Sequence, residues 1–403
     1  MVLGRLLFGA ALTLAVSMPP ADAGAKTFKI LYSFEGGSDG RMPTFGPLAA
    51  DPAGNLYGTT LYGGASNLGT VFKLAPDGTE TVLHSFTSGR DGSSPIAGLV
   101  ADKAGNFYGV TWYGGAANLG AVYEIAPDGT KTEVYSFKGG ADGMWPNAKL
   151  AIDANGNLFG TTSYGGGSTK CENGCGTVFR IGPDGRETVI HAFANGSDGA
   201  FPTAEVIFDK AGNLYSTTVS GGIYAGRNRG SGTVFKIAAD GTETILHVFR
   251  NRKEGYAPQG ALLADADGNL YGTTSQADPI LPNKCPYRVG CGSLFKLAPD
   301  GTFTVLHLFR GGSDGSRPRG RLMFDAAGNL IGTTSAGGSK QCGYGCGTVF
   351  RLAPDGSLAI LHAFKAKEGP AGDLFAASDG TFYGISSSSD PSHDGTVFRL
   401  REN

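Results

Sequence analysis

The sequence predicts an all-β fold, a closed seven-bladed β-propeller of four-stranded antiparallel blades. Three observations carry the prediction: an internal repeat with a period of roughly fifty residues, turn chemistry that cuts each repeat into four short strands, and a fourth-strand sequence displaced to the start of the chain. The first marker of the repeat is Gly54-Asn-Leu-Tyr-Gly-Thr-Thr60, which recurs from Gly105, Gly156, Gly212, Gly268 and Gly328 and, degenerate, as Gly380-Thr-Phe-Tyr-Gly-Ile-Ser386. A second marker, GTVF-like, starts at Gly69, Gly120, Gly176, Gly232, Gly292, Gly347 and Gly395, so the two alternate without a gap. In the first unit the β-runs are 47–50, 55–60, 70–75 and 79–86. Asp51-Pro-Ala-Gly54 joins the first two, and Pro76-Asp77-Gly78 joins the last two. Pro presets φ, Asp caps the turn through its side chain and Gly accepts positive φ, so both connections read as tight hairpins.

The closure is also legible. The last unit has only three strands, whereas residues 26–34 (KTFKILYSF) match the fourth strands TETVLHSF of residues 79–86 and TETILHVF of residues 242–249. The N-terminal strand is expected to complete the seventh blade and remove the open edge of the ring. A linear solenoid offers no reason for this split.

A chain of 403 residues exceeds the usual size of a single hydrophobic core, about 250 to 300 residues, but repeat architectures escape that limit. A formal charge of −2 and a pI near 6.3 exclude the basic field that drives nucleic-acid binding. Arg5, the apolar run of residues 6–16 and Ala21-Asp22-Ala23 form a secretory signal with cleavage expected after Ala23. The domains are thus 1–23, signal peptide, and 24–403, propeller. No further stretch has membrane-spanning length, so a secreted monomer, extracellular or periplasmic, is expected. The six cysteines form three close pairs, Cys171/Cys175, Cys285/Cys291 and Cys342/Cys346, each ending just before the Gly of the second marker. In an exported chain these read as three local disulfides; without histidines beside them they do not complete a metal site.

The tandem motifs LHSF, SDGxxP, GNLYGTT, YGG and GTVFKLAPDG resemble the choice-of-anchor tandem repeat family of bacteria, often called the GloVer repeat, over almost all of residues 26–403. The resemblance implies an exported bacterial repeat protein, often with a separate C-terminal surface anchor, which this sequence does not show. It implies no activity and no catalytic residues.

Candidate binding residues gather on the face that carries the longer SDGxxP and YGG loops. Blades 1 to 3 bring Tyr62, Trp112, Tyr113, Trp145 and Tyr164, which suit stacking on sugar rings or anchoring a partner, or else packing between blades. Blades 4 to 6 bring Arg227, Arg229, Arg250, Arg252, Lys253, Lys284, Arg288, Arg310, Arg317, Arg319 and Lys340, a local field for an acidic glycan. The position before each innermost strand runs Pro47, Gly98, Lys149, Glu205, Ala261, Arg321, Asp373 and is expected to ring the channel mouth. Glu205 and Asp373, with Lys149 and Arg321, are the only candidates for acid/base chemistry, and a compensated salt-bridge ring is the competing reading.

The recurrent histidines (His84, His191, His247, His307, His362) and the SDG aspartates (Asp39, Asp91, Asp142, Asp198, Asp314) read as structural, the aspartates as turn caps. No nucleophile elbow, HExxH or phosphate loop is present, and neither cofactor nor metal is expected. The function expected is non-catalytic binding of an extracellular or envelope glycan or protein. The alternatives are a polysaccharide lyase or hydrolase at the channel mouth and a purely structural envelope protein.

Overall fold

The computed structural model describes residues 27–44, 46–222, 230–250, 253–277, 285, 290–339, 345–365, 371–387 and 394–401. They form seven antiparallel sheets arranged as a seven-bladed β-propeller. The signal segment 1–23 lies outside the described residues. No helix among the described residues is long and apolar enough to cross a membrane.

Blade 1 shows how the repeat folds. Its innermost strand is interrupted, with Arg41–Pro43 and Ala49–Ala50 both paired to Leu56–Tyr62; Thr70–Leu74 and Glu80–Ser85 follow outward. The sequence reading had only the second inner piece and assigned all of SDGxxP to a loop. Its last residues form strand because Gly40 (φ 109°) turns the chain onto the inner edge, where Pro43 needs no ladder donor. At the opposite face Asp51 caps the predicted hairpin: its carboxylate accepts from the N–H groups of Ala53 (3.0 Å) and Asn55 (2.9 Å), from Asn55 Nδ2 (2.7 Å) and from Tyr57 Oη (2.9 Å). The same network recurs at Asp209 and Asp265.

The outermost strand of every blade carries a bulge at the same place, between Val82 and His84 in blade 1 and between Ile30 and Tyr32 in blade 7. A bulge sharpens the local twist and breaks the two-residue alternation, which carries the recurrent His or Tyr toward the neighbouring blade.

Seven equivalent aromatic pairs stitch the blades together. The final Phe of each LHSF-type strand meets the ring of the next blade's GTVF-type strand edge-on, with centroids 5.1–5.3 Å apart: Phe34–Phe72, Phe86–Tyr123, Phe137–Phe179, Phe193–Phe235, Phe249–Phe295, Phe309–Phe350 and Phe364–Phe398. Edge-to-face pairs of this kind contribute about 0.5–1.5 kcal/mol each beyond area burial. The backbone repeats the stitch: the residue before the SDGxxP proline adopts positive φ and donates its N–H to the preceding blade, as in Ser94 to Leu68 O (2.8 Å) and Trp145 to Leu119 O (2.8 Å).

Closure follows the predicted route. Thr27–Ser33 pairs antiparallel with Thr396–Arg401, giving the sheet order Thr27–Ser33, Thr396–Arg401, Thr381–Ser386, Ala371–Ala376. The junction of blades 7 and 1 then repeats the ordinary seam, with Met42 N donating to Asp394 O at 2.7 Å. Gly395 (φ 106°) has no room for a side chain, since a Cβ there would lie 2.3 Å from Pro43 Cδ. Two predicted disulfides are present, Cys171–Cys175 and Cys285–Cys291; Cys346 is disulfide-bonded as well, and Cys342 lies outside the described residues. Both complete pairs sit at a seam, where Cys175 O and Cys291 O accept the inter-blade N–H of Phe201 (2.8 Å) and Arg317 (2.6 Å).

Candidate functional site: channel and long-loop face

The four residues singled out for the channel are brought together. Lys149, Glu205 and Arg321 stand at the interruption of their blades' innermost strands, between Met144–Pro146 and Ala151–Ile152, Ala200–Pro202 and Ile207–Phe208, and Ser316–Pro318 and Met323–Phe324 respectively. That location is midway along the inner edge of each blade. Lys149 Nζ donates to Glu205 Oε1 at 2.8 Å, and Arg321 Nη1 of blade 6 reaches Glu205 Oε2 of blade 4 at 3.4 Å. Glu205 is 9% exposed, so both oxygens of a buried carboxylate are committed to cations. The backbone N–H of Arg321 donates to Asp373 Oδ1 at 2.7 Å, joining the fourth residue to the network. On the other side of the ring Gly46 and Gly98 pack backbone to backbone: a Cβ on Gly46 would lie 2.0 Å from Gly98 N. The inner edges therefore meet as tight backbone on blades 1 and 2 and as a compensated ion network on blades 3, 4, 6 and 7.

Desolvation pushes the Asp373 carboxyl up to about 6, against the pull of the Arg321 N–H and guanidinium. A folded-state value above the unfolded one means that the stabilising contribution is complete at low pH and is lost as pH rises through about 6. Asp373→Asn keeps the acceptor for Arg321 and removes the titration. Its melting temperature relative to wild type is expected to become more favourable on going from about pH 4 to about pH 7, and a difference that stays flat would contradict the assignment.

On the long-loop face four of the five predicted aromatics form a continuous strip. Trp112 and Tyr113 are stacked (5.6 Å, 17°), Tyr113 meets Trp145 edge-on (6.4 Å), Trp145 meets Tyr164 (5.1 Å) and Tyr164 meets Phe201 (5.2 Å). The strip crosses the seams of blades 2, 3 and 4: the rings pack across blades, as one of the two readings expected, and one ring remains open. Tyr113 is 41% exposed, the most exposed large hydrophobic side chain among the described residues. Both indole N–H groups are sealed within the strip without a hydrogen-bond partner, so these rings offer faces and edges. Phe201 was missed, although its signal was available: it occupies the GxxP position that holds Trp145 in blade 3. Tyr62 stands apart from the strip, with the Arg41 guanidinium over its ring at 5.3 Å.

Of the basic set, Arg317 holds that same GxxP position in blade 6, half-buried with positive φ (57°), and Arg319 is exposed beside it. Arg250, Lys253 and Arg310 are exposed on loops. Arg227, Arg229, Arg252, Lys284, Arg288 and Lys340 lie outside the described residues.

The recurrent His and Asp positions are coupled to each other. His84 Nε2 pairs with Asp91 Oδ1 at 2.9 Å and His307 Nε2 with Asp314 Oδ1 at 3.2 Å, while Tyr32 and Tyr135 donate their hydroxyls to Asp39 and Asp142 at 3.0 Å. The aspartates also cap the loop backbone, as expected; Asp91 accepts from Thr87 N at 2.7 Å. The neighbouring blade adds a third residue that the sequence did not reveal. Burial at these seams pushes Glu80, Glu187 and Glu243 up to about 7, with Asp39, Asp142 and Asp198 adding repulsion and His191 opposing it at Glu243.

A family model described as the Gloeobacter/Verrucomicrobia repeat matches residues 16–226, 168–280 and 224–403. No curated protein matches the chain in sequence. Among solved structures, the extracellular domain described as that of a hybrid two-component system of B. thetaiotaomicron aligns with a TM-score of 0.60 at 12% identity. That alignment covers 94% of this chain and 40% of the other, so the chain spans well under half of that protein's length. A gluconolactonase of Xanthomonas campestris aligns with a TM-score of 0.46 at 14% identity, over 98% of this chain and 94% of that one. At these identities the likeness is one of fold.

Proposed function

The chain belongs to the Gloeobacter/Verrucomicrobia repeat family, and from that premise we propose that it is an exported propeller that binds an extracellular or envelope glycan without turning it over. The observation that carries this reading is the strip Trp112–Tyr113–Trp145–Tyr164–Phe201 on the long-loop face, with Tyr113 open to solvent. Sugar rings present apolar C–H faces that stack on such surfaces, and aromatic rings give large contact area at small entropic cost. Arg317 and Arg319, on the blade 6 side of the same face, suit a carboxylate on an acidic sugar. The signal segment 1–23 and the seam disulfides support export.

The lyase or hydrolase alternative would require a free base in the channel, whereas Glu205 is engaged by Lys149 and Arg321. The two tryptophans of the whole chain both belong to the strip, so intrinsic fluorescence reports on it directly. Titration with neutral and uronic-acid polysaccharides is expected to give a saturable fluorescence change with no release of reducing ends or unsaturated products. Tyr113→Ala should weaken binding by about tenfold or more, the usual cost of truncating an aromatic anchor. A panel that leaves the fluorescence unchanged, or an affinity indifferent to Tyr113→Ala, would remove the strip from consideration.

A further inference from the structure

Each seam between blades presents three positions: the outer-strand His or Tyr, a residue seven places later that is acidic at every seam except that of blades 6 and 7, where it is Gly369, and the next blade's residue equivalent to Glu80. At three seams the third residue neutralises the carboxylate or covers the histidine. Lys131 pairs with Asp91 at 3.1 Å beside His84, Phe303 stacks on His247 at 3.9 Å, and Phe28 stacks on His362 at 3.8 Å. Where the third residue is Glu80 or Glu187, the first is a tyrosine rather than a histidine. Among the described residues, only the seam of blades 3 and 4 joins a histidine to two carboxylates: His191, Asp198 and Glu243.

That seam also differs in geometry. His84, His247 and His307 hydrogen-bond their acidic partner at 2.9, 3.3 and 3.2 Å. His191 Nε2 instead stands 3.8 Å from Asp198 Oδ2 and 3.6 Å from Glu243 Oε1, too far for a hydrogen bond to either. Both His191 Nε2 and Glu243 Oε1 are sealed from solvent with no hydrogen-bond partner. The three side chains retain only 13–22% exposure, and one donor atom from each lies within 4.8 Å of the others. Two unpartnered donor atoms and the Asp198 carboxylate thus face one another; metal–ligand bonds of about 2.1 Å set neighbouring donors about 3.0–3.4 Å apart, so the two carboxylates would draw in toward His191 to ligate a single ion.

We propose that His191, Asp198 and Glu243 form a binding site for a divalent transition cation of the zinc class, clamping blade 3 to blade 4. The imidazole selects against calcium and magnesium, which are satisfied by six or more oxygens. The ligands are held in place: His191 packs edge-on against Phe193 at 4.7 Å, and Asp198 Oδ2 accepts from Ala194 N at 2.8 Å. Two protein carboxylates and one neutral imidazole leave the remaining coordination positions to water. The cation would replace the missing hydrogen bonds and convert its binding energy into cohesion of this one seam.

The test is calorimetric titration of Zn²⁺ into untagged protein stripped with EDTA, with Co²⁺ absorption as the reporter of nitrogen and oxygen ligation. One saturable equivalent is expected, together with a higher melting temperature in Zn²⁺ than in EDTA. Glu243→Gln and His191→Phe should each weaken binding by more than about 100-fold, the upper end of what outer-shell partners alone cost. The melting temperature of each variant in EDTA separates lost binding from lost folding. His84→Phe, at the lysine-bearing seam, should bind Zn²⁺ as the wild type does. The absence of saturable Zn²⁺ binding below about 1 mM, or equal binding by a folded Glu243→Gln, overturns the proposal.

Discussion

Removal of residues 27–34 is expected to abolish the folded monomer. Thr27–Ser33 is the outermost strand of blade 7, and without it Thr396–Arg401 becomes an open edge beside Phe398 (0% exposed), Leu400 (1%) and Phe364 (0%). The deletion also removes Phe34, whose contact with Phe72 is the aromatic stitch between blades 7 and 1. Six intact blades cannot compensate, because a ring opened at one seam leaves two blade faces unburied. The loss should exceed about 5 kcal/mol, comparable with the whole stability of many domains, and the exposed edge invites pairing between molecules. Chromatography of a chain starting at residue 35 should show aggregate or domain-swapped oligomer. A permuted chain that carries residues 27–34 after the last strand, through an Ala-Pro-Asp-Gly turn like that of the other blades, should recover the monomer. A well-folded monomer without residues 27–34 would refute closure by this strand.

Glu205→Gln is expected to be the most damaging conservative substitution in the channel. It puts a neutral amide in place of the carboxylate that Lys149 and Arg321 both contact, leaving Asp373 alone to balance two cations whose side chains are 17% and 28% exposed. Removing one member of a buried ion network typically costs about 3–5 kcal/mol, because the remaining charges stay desolvated without a counter-ion. The triple replacement Lys149→Met, Glu205→Leu, Arg321→Met, made in the Asp373→Asn background so that no buried carboxylate is left without its cations, should fall close to wild type, within about 1–2 kcal/mol, since hydrophobic groups of similar volume can replace such a network. Denaturant midpoints of the single and triple variants decide between the two outcomes. If Glu205→Gln is as stable as wild type, the network is solvated and does not depend on the Glu205 charge. If the triple variant is as damaged as the single one, the network holds the geometry of the inner strands as well as their charge.

The fold was legible because its signals are local and repeat. Asp51-Pro-Ala-Gly54 specifies its own hairpin, the alternation in Thr70–Leu74 sets which side chains face the next blade, and residues 26–34 carry the imprint of a strand absent from the other end. The split innermost strand was not legible, because Arg41–Pro43 becomes strand only through pairing with the far end of Leu56–Tyr62. Trp112, Tyr113, Trp145 and Tyr164 could be placed on one face, since the repeat register decides the face. Their linkage into a strip depends on how closely neighbouring blades approach, and that is set by the aromatic stitches of the core.

The sequence alone therefore determined the blade, the number of blades and the strand that closes the ring, all of which follow from turn chemistry and strand period within about fifty residues. The tertiary structure decided which residues meet across the ring. Arg321 reaches Glu205 over a separation of 116 positions. His191 and Glu243 face each other only because a bulge turns one outer strand toward the start of the next. Such contacts depend on ring radius, blade twist and side-chain reach, quantities that arise when seven blades pack against one another and that no single repeat encodes.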